Sequence, residues 1–155
     1  MKPISMPEPT GNLSTKIIGV WLLESREDRT FNGQKRIDPT LGADPIGILA
    51  YADRHFTAQF MKRDRTDKSK LVTYSGSNNT VAVDGYDAYF GTYEVDEPTG
   101  KVNHTLIGSI NEKNIGISVW RDLRVIDDKL IIQLETTTID GEPIVRTLTW
   151  NRDSK

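Results

Sequence analysis

A histidine, two tyrosines and an arginine (His104, Tyr89, Tyr93 and Arg121) recur on the apolar faces of short alternating segments. Side chains of a strand alternate between its two faces, so "KVNHTLIGSI" sends Val102, His104, Leu106 and Gly108 one way and Asn103, Thr105, Ile107 and Ser109 the other. The same alternation groups Tyr89, Gly91, Tyr93 and Val95, and it groups Ile115, Ile117, Val119, Arg121, Leu123 and Val125. Polar groups among aliphatic walls are costly to bury unless hydrogen-bonded, and this mixture is the make-up of a ligand cavity. An imidazole, with an unperturbed pKa of ~6.5, could move a proton near neutral pH. A guanidinium or phenol could donate to a carbonyl oxygen where negative charge develops. A plainer reading stays open at two positions: His104 as a satisfied core histidine, and Arg121 as a cation stacked on Trp21.

Other chemistries lack residues to carry them. The chain has 155 residues and no cysteine, which excludes disulfides, thiolate metal sites and cysteine nucleophiles. His55 and His104 are the only imidazoles, so no metal site is expected. No glycine-rich phosphate loop leads into a helix, and no cofactor is expected. A net charge of −2 with both signs interspersed gives no footprint for nucleic acid or an anionic membrane. No apolar run approaches the ~18 residues of a membrane span. The start, "MKPISMPEPTGN", lacks a signal-peptide core, so a cytoplasmic protein is expected. The sequon at Asn103 to Thr105 falls mid-strand and is read as chance.

The elements that must position these groups are strands. Residues 1–12, with three prolines, read as a flexible tail, and 13–152 as a single domain. Ser14 or Thr15 offers a cap for one short helical turn. Strands are expected near 18–28, 34–37, 46–52, 55–61, 87–96, 101–110, 114–126, 129–138 and 143–151, joined by tight connectors such as "FNGQ" and "DGEP". Such a meander must stack as two sheets or close on itself, and short hairpins favour an all-β, closed, antiparallel up-and-down barrel of about 8–10 strands. Alternation then turns Phe56, Ala58 and Phe60 inward, together with Leu130, Ile132, Leu134, Ile144, Arg146, Leu148 and Trp150. Tyr89, Phe56, Phe60, Leu106, Val119, Leu134 and Trp150 are the expected ligand-binding set. Residues 62–86 form a connector long enough to be a lid, in which Leu71, Val72 and Tyr74 could close the barrel mouth.

Several spaced motifs resemble the lipocalin-like domain of bacteria and fungi: "IGVWLLES", "DPIGILAYADRHFTAQFMKRDR", "AYFGTYEVD", "VNHTLIGSI", "NIGISVWRDLRV" and "LTW", in that order over about 18–151. The resemblance implies a barrel with a central cavity, with His104 and Tyr93 lining it. It also implies that Trp21 packs at the barrel floor beneath a basic side chain, for which Arg121 and Arg146 are the candidates. Lipocalin-like barrels supply cofactor-free isomerases and cyclases of natural-product biosynthesis, and a cavity with room for one small ligand would equally serve a carrier.

Two functions are therefore expected: cofactor-independent cyclisation or isomerisation of a small apolar metabolite, with His104, Arg121 and Tyr93 as catalytic residues, or non-catalytic carriage of such a molecule. The three inward polar groups favour the enzyme. A purely structural or interaction domain is a third class, and the oligomeric state, monomer or homodimer, is open.

Overall fold

The computed structural model describes residues 12–154. The expected tail thus lies, apart from Asn12, outside the described residues. Asn12, not Ser14 or Thr15, caps the helical turn α1 (Leu13–Lys16): its side chain accepts from the Thr15 amide, and both hydroxyls donate to it. No helix among the described residues is long and apolar enough to cross a membrane.

Eleven strands follow: β1 (Gly19–Thr30), β2 (Lys35–Arg36), β3 (Ile46–Tyr51), β4 (His55–Met61), β5 (Tyr74–Ser75), β6 (Val81–Ala82), β7 (Tyr86–Asp96), β8 (Lys101–Ser109), β9 (Ser118–Ile126), β10 (Lys129–Thr137) and β11 (Pro143–Arg152). Nine form one antiparallel sheet in the order β11-β10-β9-β8-β7-β4-β3-β1-β2, and β11 also pairs with β1, from Trp21 opposite Arg152 to Thr30 opposite Ile144. Eight strands therefore close a barrel and leave no free edge between them, while β2 flanks β1 at Asp28 and Arg29. The tiny β5–β6 hairpin lies inside the long connector and was not foreseen.

One expectation about strands needs correction, and one irregularity adds to the rest. The strand expected from residue 114 starts at Ser118, because Glu112–Asn114 form a 3-10 turn capped by Asn111. Ile115 therefore sits outside the barrel, 51% exposed, instead of facing inward. In β1 a bulge between Leu23 and Ser25 reverses the alternation, so Trp21 and Leu23 face inward before it and Arg26, Asp28 and Thr30 after it.

Trp21 is fully buried and donates from its indole nitrogen to the Ile17 carbonyl at 2.9 Å. The cation over its ring is Arg152, 4.2 Å from the centroid, not Arg121 or Arg146. Arg152 is two residues beyond Trp150 on β11, at the closed end, and it also donates to the carbonyls of Lys16 and Ile18. Arg121 and Arg146 serve the opposite, open end of the barrel.

Candidate functional site

The barrel encloses a cavity of about 340 Å³, the size of a small ligand site. Strand alternation builds its apolar wall: Leu49 and Ala58 from β3 and β4, Val119 from β9, Ile132 and Leu134 from β10, and Leu148 from β11. An aromatic belt crosses it. Phe56 lies edge-on to Tyr89 at 6.0 Å, and Phe60 edge-on to Trp150 at 5.5 Å. Of the expected ligand-binding residues, Tyr89, Phe56, Phe60, Val119, Leu134 and Trp150 line the cavity. Leu106 does not. It is buried in the packed core, opposite Gly91 across the β7–β8 ladder.

His104 and Arg121 also line the cavity, whereas Tyr93 is placed elsewhere. The Tyr93 hydroxyl donates to the Ala52 carbonyl at 2.7 Å, and its ring stands edge-on to Tyr51 at 4.9 Å. Tyr93 thus supports a neighbour. That neighbour, Tyr51, is the phenol in the wall, with its hydroxyl oxygen 2.6 Å from His104 Nε2.

Burial, helped by the charge of Arg121, holds the His104 imidazole neutral, its pKa lowered to about 3. A neutral imidazole of this kind is not poised for the proton transfer expected of His104 near neutral pH. A neutral imidazole protonated at Nε2 would donate to Tyr51, freeing the phenol proton for a ligand oxygen. The other tautomer would accept from Tyr51 and leave the Nδ1 proton without a partner, since Nδ1 has none. Burial also raises the Tyr51 hydroxyl well above its usual range, so it remains a donor.

At the open end a charged cluster lines the cavity. Arg146 donates to both carboxylate oxygens of Asp28, at 2.8 and 3.0 Å, and Arg26 pairs with Asp38 at 2.7 Å. Asp87, on β7 two residues before Tyr89, is 5% exposed and has no hydrogen-bond partner at Oδ1. Burial raises its pKa to about 7, although Arg26, Arg146 and Arg121 all pull it down. The charge of Arg121 also bears on Tyr51, Tyr89 and His104, so it acts on both polar centres. Among the described residues no group of three or more histidine, aspartate or glutamate side chains is gathered to hold a metal.

The 62–86 connector reaches the cavity, though not through Leu71 and Val72, which do not line it. Tyr74, Asn79, Thr80 and Val81 do. Its tip is tied to the barrel by Asn78, which accepts two bonds from Arg121 and donates to the Glu135 carbonyl. Asn79 accepts from Asn114.

A family profile described as a lipocalin-like domain matches residues 18–153, nearly the whole chain and every strand of the barrel. The chain belongs to the lipocalin-like domain family. Its lipocalin-like barrel, closed and apolar-walled, is suited to a small hydrophobic ligand. Comparison with curated proteins gave no match.

Asp87, Tyr51 and Arg26 were missed by sequence reasoning, each for a different reason. Alternation from Tyr89 places Asp87 on the inward face, but a carboxylate at a strand end reads as solvated. Tyr51 shares a face with Leu49, a pattern visible in "GILAY". Arg26 was hidden by the bulge in β1, which no residue of the segment announces.

Proposed function

We propose that the barrel receives a small, largely apolar molecule carrying a carbonyl group and promotes its cofactor-independent isomerisation or cyclisation. The observation that carries this reading is Asp87, a carboxyl in the cavity wall shut away from solvent with one oxygen unpartnered. A carboxyl that titrates at about 7 can both release and take up a proton at neutral pH, as a general acid–base group must. Arg121 and the Tyr51 hydroxyl supply donors for the carbonyl oxygen, and one well-placed donor to a developing oxyanion contributes about 3 kcal/mol. Walls that hold a flexible chain folded remove part of the entropic barrier. His104, kept neutral, orients Tyr51.

Carriage without chemistry is the second reading. The observation favouring it is the lid, whose bonds to Arg121 occupy one of the two donors.

The test is a β,γ-unsaturated cyclic ketone, followed by absorbance as it conjugates, with the wild type and Asp87→Asn. Turnover by the wild type that Asp87→Asn reduces by about a hundredfold or more supports the enzyme. Binding of the ketone without conjugation by either protein supports the carrier.

A further inference from the structure

We propose that Arg121 is the seat of a ligand carboxylate, so that the molecule taken by the barrel is an apolar monocarboxylate. This deepens the reading above, rests on it only for the premise that the cavity holds a ligand, and gives Arg121 to the carboxylate, which leaves the Tyr51 hydroxyl as the donor to the carbonyl oxygen.

Three guanidinium groups are buried in the cavity wall, and two have carboxylate partners: Arg26 has Asp38, and Arg146 has Asp28. Arg121, 8% exposed, has none. Nη1 donates to the Trp120 carbonyl at 3.1 Å, and both terminal nitrogens donate to oxygens of Asn78, Nη1 to Oδ1 at 2.8 Å and Nη2 to the backbone carbonyl at 2.6 Å. One oxygen on each terminal nitrogen is the forked arrangement of a carboxylate on arginine. Asn78 thus stands where an anion fits, but its oxygens are neutral and leave the charge of a buried guanidinium uncompensated. Asn78 and Asn79 also hold φ of 58° and 56°, a left-handed pair that non-glycine residues adopt at some cost. The lid tip is accordingly an uncharged occupant of a buried cation, held with backbone strain.

The unpartnered polar atoms point to the same ligand chemistry. Among the described residues, six buried side-chain nitrogens and oxygens lack partners, and five belong to residues of the cavity wall. Arg26 Nη1, Asn79 Nδ2 and Trp150 Nε1 are donors, so a ligand relieves them by bringing oxygens. The one carboxyl in the set, Asp87, adds a further donor whenever it holds its proton. A single guanidinium without a carboxylate partner matches a single negative charge, and the aromatic belt matches an apolar body.

The experiment is calorimetric titration of the full chain with naphthoate and with naphthamide, its neutral counterpart of nearly the same shape. The wild type is expected to bind the acid at least roughly tenfold more tightly than the amide. Asn78→Asp sets a carboxylate of the chain's own against Arg121 and is expected to collapse that ratio towards one, as is Arg121→Met. Equal binding of acid and amide by the wild type overturns the carboxylate seat and leaves the ligand-binding reading standing. Failure of both to bind overturns the two together.

Discussion

The hydroxyl of Tyr51 and Nε2 of His104 lie 2.6 Å apart between β3 and β8, both rings buried and each the other's hydrogen-bond partner. Breaking such a pair from one side leaves a buried polar group unsatisfied, whereas removing both groups does not. Tyr51→Phe is expected to destabilise the barrel by about 1–3 kcal/mol in urea unfolding, and His104→Leu by a similar amount. Tyr51→Phe/His104→Leu should cost clearly less than the sum. Strict additivity would show that the contact contributes nothing. In the wild type, the His104 ring resonances should not titrate at neutral pH, because its pKa lies at about 3.

Asp87 makes stability depend on pH in the direction opposite to His104. Between the usual 3.8 and about 7, the folded chain keeps a proton on Asp87 that the unfolded chain has released. Stability from this group therefore falls as pH rises through that window, by about 4 kcal/mol at most. His104 titrates at 6.5 when unfolded and about 3 when folded, so its effect on stability rises with pH over nearly the same interval. The two slopes largely cancel. Asp87→Asn removes one of them, and is expected to be more stable than the wild type by a few kcal/mol at about pH 8 and by little at about pH 4. A gain independent of pH would show that the Asp87 carboxyl ionises freely in the folded protein.

The barrel was legible because hairpin turns and period-2 alternation are local, and they persist through β4, β8, β10 and β11. The inward faces of these strands follow directly from "HFTAQFM", "VNHTLIG", "LIIQL" and "IVRTLTW". The site was less legible because its polar members depend on events that alternation does not record. The bulge in β1 turned Arg26 and Asp28 inward, and β5–β6 folded back to set Asn78 on Arg121. Tyr93 followed its expected face, but near the closed end of the barrel, where the inward side is packed core and not cavity. Which arginine covers Trp21 depended on register, and the pairing of Trp21 with Arg152 settled it.

Gly91 marks the closest approach of β7 to β8. A Cβ built there would lie 1.8 Å from the Thr105 carbonyl oxygen and 2.9 Å from the Ile107 amide nitrogen, both backbone atoms that cannot swing aside. The ladder slips register at this point, between Phe90 and Gly91. Gly91→Ala must push the two strands apart beneath Phe56 and His104, and is expected to cost at least about 3 kcal/mol. Thermal unfolding monitored by circular dichroism would show it, and a wild-type midpoint would mean that the strands are not this close.

Arg152 joins the closed end together by four contacts made from one side chain: the face of Trp21, the Lys16 carbonyl at 2.6 Å, the Ile18 carbonyl at 3.0 Å and the Asp128 carboxylate at 3.6 Å. The two carbonyls lie at the end of α1 and just beyond it, where backbone acceptors lack helical partners, so the guanidinium satisfies them while it covers the indole. Arg152→Met keeps most of the apolar stem over Trp21 but removes the charge and the donors. It is expected to destabilise by about 2 kcal/mol, of which the cation–π contact contributes about half. Arg152→Lys keeps the charge but not the fork, and should recover the stacking term alone. Unfolding midpoints in urea, followed by circular dichroism, separate the cases. If the methionine variant unfolds with the wild-type midpoint, the indole is held by burial alone, and the cation above it is incidental to the floor of the barrel.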